Sequence, residues 1–192
     1  MITNLAADVL AFTSNVFLVE GERTVLVDAG ANFDVARHLS RHATDLDALV
    51  LTHTHPDHIG NVDDIRAEFG VESWGFDLSS PAVDSRIEDR DRVRLGDHEY
   101  RAIHTPGHKD DHLCFYADGP GICFSGDLVF QNGGYGRTDL PEGDHERLLA
   151  SLRRLADIVA PSLEALHPGH GPSVTTDPYE DIELALKMAR FG

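Results

Sequence analysis

Four side chains able to bind a metal ion lie within six residues, in Thr52-His53-Thr54-His55-Pro56-Asp57-His58, directly after the apolar run Ala48-Leu49-Val50-Leu51. Extended residues two apart share a face, so His53 and His55 are expected to point to one side, with Asp57 and His58 turned towards a second position. That spacing suits two neighbouring ions better than one closed tetrahedral site. Hydrogen-bonded polar residues would account for such side chains one at a time, but four of them behind a buried strand are costly to satisfy without a metal. Three further candidates follow strand-like runs and sit beside Gly or Pro: His108 in His104-Thr105-Pro106-Gly107-His108, Asp127 in Phe124-Ser125-Gly126-Asp127, and His170 in His167-Pro168-Gly169-His170-Gly171-Pro172. Singly, a histidine in a turn is more often structural than a ligand. Their order along the chain gives them weight.

Two cations about 3.5–4 Å apart lower the pKa of a shared water from about 15.7 towards 7, which supplies hydroxide at neutral pH without a serine or cysteine nucleophile. The chemistry expected is attack on a polarised carbonyl, with Asp57 placed to take up the proton. Mixed imidazole and carboxylate donors favour two zinc ions and also admit iron or manganese.

The elements that must position these residues can be read from the apolar runs. Asn15–Glu20 and Thr24–Asp28 read as two strands joined by a polar turn, Phe33–Arg41 as helical, and Ala48–Leu51 as a buried strand. Val62, Ile65 and Phe69 predict a helix that stops at Gly70. Residues 73–97 predict only short strands, with Arg86–Arg92 as solvated surface. Tyr100–His104, Leu113–Tyr116 and Gly121–Phe124 are strand candidates. Leu148, Leu152, Leu155 and Val159 mark one face of a helix that begins after Asp144. Asp177-Pro178-Tyr179-Glu180 predicts a last helix opened by a capping box. Strands and helices that do not alternate cleanly favour helix-covered sheets over a doubly wound fold.

With His-x-His-x-Asp-His at 53–58 followed by His108, Asp127 and His170, the chain resembles the metallo-β-lactamase superfamily over nearly its whole length. The resemblance implies an α+β fold, a four-layer αββα sandwich of two mixed β-sheets flanked by helices, in one domain spanning residues 1–192. It further implies one ion on His53, His55 and His108, a second on Asp57, His58 and His170, and Asp127 bridging both. Gly133–Asp144, with its Gly136-Arg137-Thr138-Asp139 run, is similar to a loop of glyoxalase-II-type thioester hydrolases and of persulfide dioxygenases. There Arg137 and Tyr135 are the candidate substrate-binding residues, and Asp144 is a helix cap on either reading. Only 22 residues follow His170, which leaves out the helical domain that grips glutathione in glyoxalase II proper and argues against glutathione thioesters as the natural substrate. Thioester, then lactone or other ester, is the expected order. The rivals are a mononuclear-iron, persulfide dioxygenase-like enzyme using His53, His108 and Asp127, and a non-catalytic module. The complete ligand set favours two ions and hydrolysis.

The other seven histidines, at 38, 42, 98, 104, 112, 145 and 167, read as structural, with His104 and His112 close enough in sequence to orient ligands. Cys114 and Cys123 are too few for a disulfide framework and read as small buried apolar groups. Residues 1–21 carry no Lys or Arg, and no apolar run approaches the roughly 20 residues of a membrane span, so the expectation is a soluble cytoplasmic protein with no membrane partner. A net charge of -17 repels nucleic acid and anionic membranes and leaves a small molecule as the expected substrate. Lys occurs only at 109 and 187, a balance suited to high salt, where self-repulsion is screened. Unfolding midpoints are therefore expected to rise between dilute buffer and molar salt. A flat response would reject salt adaptation.

Overall fold

The computed structural model describes residues 1–42, 45–159 and 162–191. The chain forms two compact units, residues 1–87 with 93–99 and residues 88–92 with 100–192. The first unit contains β1 (Ile2–Asn4), β2 (Phe17–Val19), β3 (Val25–Val27), α1 (Val35–Leu39), β4 (Ala48–Val50), α2 (Pro56–Ile59), α3 (Val62–Phe69), β5 (Ser73–Gly75), β6 (Ser85–Arg86) and most of β7 (Arg92–Leu95). Its sheet runs β1-β2-β3-β4-β5-β6, antiparallel as far as β3 and parallel thereafter. Every residue of β3 and β4 is buried. That is why both read as continuous apolar runs, as strands covered on both faces do. α3 buries Val62 and Ile65 and ends at Gly70, whose φ of 66° lets its N–H return to the Arg66 carbonyl.

The second unit contains β8 (His98–His104, from Tyr100 on), β9 (Leu113–Ala117), β10 (Ile122–Gly126), α4 (His145–Val159), β11 (Ala165–Pro168) and α5 (Pro178–Ala189). The second sheet runs β11-β10-β9-β8-β7, with β10 parallel to β11 and antiparallel to β9. Leu148, Leu152, Leu155 and Val159 of α4 are fully buried and share a core with Ile103, Cys114, Tyr116 and Cys123 from the strands. Each such leucine contributes roughly 1.5–3 kcal/mol by leaving water. Both cysteines are buried free thiols, and burial pushes Cys114 up to about 12, so they act as the small apolar groups the sequence suggests.

Two local expectations change, and one strand is added. α5 begins after Asp177 with Pro178 in its first turn, but no capping box forms. Asp177 is left-handed (φ 48°, ψ 46°), whereas a capping side chain reaches the first-turn amides from extended backbone. Instead the Glu180 N–H donates to the Asp177 carbonyl at 3.0 Å. The charged stretch 86–92 is not simply solvated: Ile87 is buried, and Asp89 accepts two bonds from Arg154 at 2.7 and 2.8 Å. β1, too short and polar to stand out in sequence, exists by pairing with β2. Asp144 does cap α4, accepting from the Arg147 N–H at 3.0 Å. Among the described residues no helix is long and apolar enough to cross a membrane.

His167, on β11, stacks on Phe124 with ring centroids 5.1 Å apart, and its Nδ1 lies 2.8 Å from Ser173 Oγ. Burial pushes its pKa down to about 4. A histidine with a depressed folded pKa stabilises the fold in its neutral form. Above about pH 6.5 it is neutral in both states, and as pH falls towards 4 the unfolded chain takes up the proton first, so stability is lost across that window. Urea unfolding at pH 7 and pH 4 is expected to show about 3 kcal/mol more loss in the parent chain than in His167→Phe. Equal losses would contradict this assignment.

Candidate metal centre

In the first unit, β4 runs straight into the histidine segment. His55 is extended (φ -70°, ψ 148°), and Pro56, whose ring fixes φ, opens the single turn of α2. His53 and His55 share a side, with His53 Nε2 3.1 Å from His55 Nδ1. The helical turn brings His58 back against His53, ring centroids 4.0 Å apart, a closeness that a fully extended reading of the segment leaves out. Asp57, partly buried, accepts the Ser14 N–H on its backbone carbonyl at 3.1 Å.

Beneath these residues lies Asp28, buried and left-handed at φ 61° directly after β3. Its carboxylate accepts the Thr52 N–H and hydroxyl, each at 2.8 Å, and lies 2.8 Å from His58 Nδ1. A carboxylate so placed makes His58 Nδ1 the protonated nitrogen and leaves Nε2 with its lone pair. Because the Thr52 hydroxyl hydrogen is already directed at Asp28, His53 Nδ1, 3.1 Å from Thr52 Oγ1, must donate to that oxygen. His53 Nε2 is then also a lone-pair donor. Neither Asp28 nor Thr52 was singled out by motif; the available signal was an acidic residue ending a wholly buried strand, in Val27-Asp28-Ala29-Gly30.

In the second unit, the structure brings together His108, Asp127 and His170. His108 Nδ1 lies 2.8 Å from the Arg137 carbonyl, which can only accept, so Nε2 again carries the lone pair. That nitrogen is 3.4 Å from Asp127 Oδ2, and His170 Nε2 is 3.5 Å from the same oxygen. A carboxylate oxygen and an imidazole lone pair at that distance repel unless a cation or a proton lies between them, and imidazole with carboxylate is a suitable donor set for a divalent ion. Asp127 sits just past β10, and its N–H donates to His112 Nε2 at 2.9 Å. His112, fully buried, must therefore carry its proton on Nδ1, 2.8 Å from Thr105 Oγ1. It is one of the two histidines expected to orient ligands. The other, His104, has its Nε2 on the Asp110 carbonyl at 2.8 Å.

The glycine-rich loop has a steric role here. A Cβ on Gly136 would stand 2.1 Å from the Asp127 carbonyl oxygen and 2.8 Å from the His108 ring. Arg137 presents its carbonyl to His108, while its exposed guanidinium forks onto Asp139 with two bonds of 2.6 Å. That pairing holds the Asp139 carboxyl down at about 2. Tyr135 is partly buried against the core of the second unit.

The family model described as the metallo-beta-lactamase superfamily matches residues 9–82 and 75–170. A hydroxyacylglutathione hydrolase of Chromohalobacter salexigens is 39% identical over 137 residues, which make up 70% of this chain and 52% of that protein. The chain thus spans about half the length of that relative. A hydroxyacylglutathione hydrolase, GloC, of Haemophilus influenzae is 30% identical over 170 residues, 76% of this chain and 80% of that one. The crystal structure of TTHA1623 in a di-iron-bound form is similar at 30% identity and a TM-score of 0.73, covering 98% of this chain and 96% of that chain.

Gly136→Ala is expected to destabilise the fold by about 1–3 kcal/mol, because backbone and a buried ring must move to admit one methyl group. Chemical denaturation checks this. A variant as stable as the parent would show that the loop does not press on Asp127 and His108.

Proposed function

This chain belongs to the metallo-β-lactamase superfamily, and from that premise we propose that it is a metal-dependent hydrolase of small carboxylic thioesters or esters. Its two mixed sheets with flanking helices are the α+β sandwich fold of that family. We read residues 1–192 as one such domain. The observation that carries the proposal is the set of buried imidazoles whose Nδ1 atoms are tied to Asp28, Thr52 and the Arg137 carbonyl. Each tie turns Nε2 into a donor for a cation.

In this reading His53, His55 and His108 hold one divalent ion, Asp57, His58 and His170 hold the other, and Asp127 lies between them. Imidazole and carboxylate together are donors suited to such cations. When bound, the two ions supply a water of lowered pKa and polarise the substrate carbonyl. Asp57 receives the proton on its carboxylate. Asp127 would add the negative charge that makes the donor set suit divalent rather than monovalent ions. Arg137 and Tyr135 stand on the glycine-rich loop, where a substrate would meet them.

The thioester preference is supported by the hydroxyacylglutathione hydrolase names of the Chromohalobacter and Haemophilus relatives, the second matched over 80% of its length. Zinc fits the donors. Iron does so as well, and it is the metal of the di-iron neighbour.

Metal content measured on protein purified in high salt, with a hydrolysis panel of thioesters, lactones and β-lactams, tests the reading. About two ions per chain and thioester turnover are expected, and Asp127→Ala is expected to lose metal-dependent hydrolysis while remaining folded. One iron per chain with oxygen consumption would instead establish the persulfide dioxygenase-like alternative.

A further inference from the structure

A cavity of about 410 Å³ opens in the second unit between β8 and α4, lined by Arg90, Arg101, Arg154, Asp157, Ile103 and Ile158 among others. Its size falls within the roughly 300–1,000 Å³ usual for small-molecule sites. In a chain of net charge -17, three of 16 basic residues meet there. They arrive from separate elements. The segment before β8 lies along that strand, with the Arg90 N–H on the Ala102 carbonyl at 2.8 Å and the Ala102 N–H on the Asp91 carbonyl at 2.9 Å. Arg154, Asp157 and Ile158 share one face of α4 at spacings of three and four residues.

The three guanidinium groups are not equally occupied. Arg154 is fixed by one terminal nitrogen, which donates to both Asp89 oxygens, and by the other, which donates to the His104 carbonyl at 2.8 Å. Arg90 Nε is 3.5 Å from Asp89. Arg101 differs: among the described residues its buried Nε has no hydrogen-bond partner, and its terminal nitrogen reaches only the half-exposed Asp118, at 4.0 Å. A buried donor without an acceptor is costly, and a guanidinium fork matches a carboxylate. Asp157 in the lining, Asp89 on Arg154 and Asp118 at 4.0 Å from Arg101 match the three guanidinium groups in number, which disfavours a multiply charged anion. The Arg101 Nε without an acceptor suits a single carboxylate, and Ile103 and Ile158 offer an apolar wall beside it.

We propose that this cavity binds a short-chain carboxylate, with its oxygens on the Arg101 fork and its aliphatic stem against Ile103 and Ile158. The assignment is independent of the hydrolytic reading, because it requires no metal and no turnover. Butyrate titrated at constant ionic strength, with chloride as the replaced anion, is followed by the backbone amide shifts of Ala102 and Ile158. Saturable shifts with a Kd in roughly the millimolar range are expected. Inorganic phosphate, mostly dianionic above pH 7, should bind several-fold more weakly. Arg101→Gln should weaken butyrate binding about tenfold or more, and Arg101→Lys, which keeps the charge without the planar fork, should weaken it as well. Linear shifts in the parent chain, or unchanged binding in both folded variants, would overturn the proposal.

Discussion

The buried carboxylate of Asp28 is the constraint on which the first unit's donor groups depend. An ionised carboxylate that is 2% exposed is tolerated only when donors surround it, and here Thr52 N–H, Thr52 Oγ1 and His58 Nδ1 all lie 2.8 Å away. Bonds of this kind contribute roughly 1.5–3 kcal/mol each, against the 1–2 kcal/mol that a left-handed non-glycine residue costs. Asp is among the few residues that tolerate that backbone while supplying the acceptor. Removing it would take the acceptor from all three buried donors and let the His58 ring turn. The apolar strands β3 and β4 serve this contact: their parallel register sets Val27 beside Val50, and the Asp28 N–H continues the ladder to the Val50 carbonyl at 2.8 Å.

The second unit solves the same problem with neutral groups. His108 leans on the Arg137 carbonyl and Asp127 hangs by its N–H from His112, so backbone takes the part played by a carboxylate in the first unit. Backbone can come that close only where side chains are absent. Gly136 permits the loop to touch Asp127 and the His108 ring, and Gly107, at φ 139° with its Cβ position 2.2 Å from Leu148 N, permits the His108 loop to lie on the start of α4. Glycine placement in this half is therefore part of ligand placement, and the buried stripe of α4 is the surface against which the loop is held.

What the sequence made legible follows from how local each signal is. The His53–His58 segment, the buried runs of β3 and β4, the leucine stripe of α4 and the Asp144 cap are each written within a few neighbouring residues, and all are present. Asp28 was missed because its partners are 24 and 30 positions away and no periodicity links them. The Asp89–Arg154 ion pair, 65 positions apart, hid inside a run of charges that by composition alone reads as solvated. The Asp177 capping box failed for a different reason. Its letters were right, but the chain enters α5 through a left-handed residue, a choice made by the preceding turn rather than by the helix. Tertiary geometry, not local preference, decided each of these.

The two kinds of support have unequal chemical consequences. A histidine whose Nδ1–H faces a carboxylate is a stronger donor through Nε2 than one whose Nδ1–H faces a peptide carbonyl, because the anion stabilises positive charge on the ring. His58 belongs to the first kind and His108 to the second, although both are simply histidines in the motif. The strength of each ring as a ligand is thus fixed by atoms that do not themselves bind metal, one at the end of β3 and one in a glycine-rich loop. Relatives that keep every ligand could therefore differ in metal preference through these supports alone. The residues to compare first would be those matching Asp28, Thr52 and Gly136 rather than the histidines themselves.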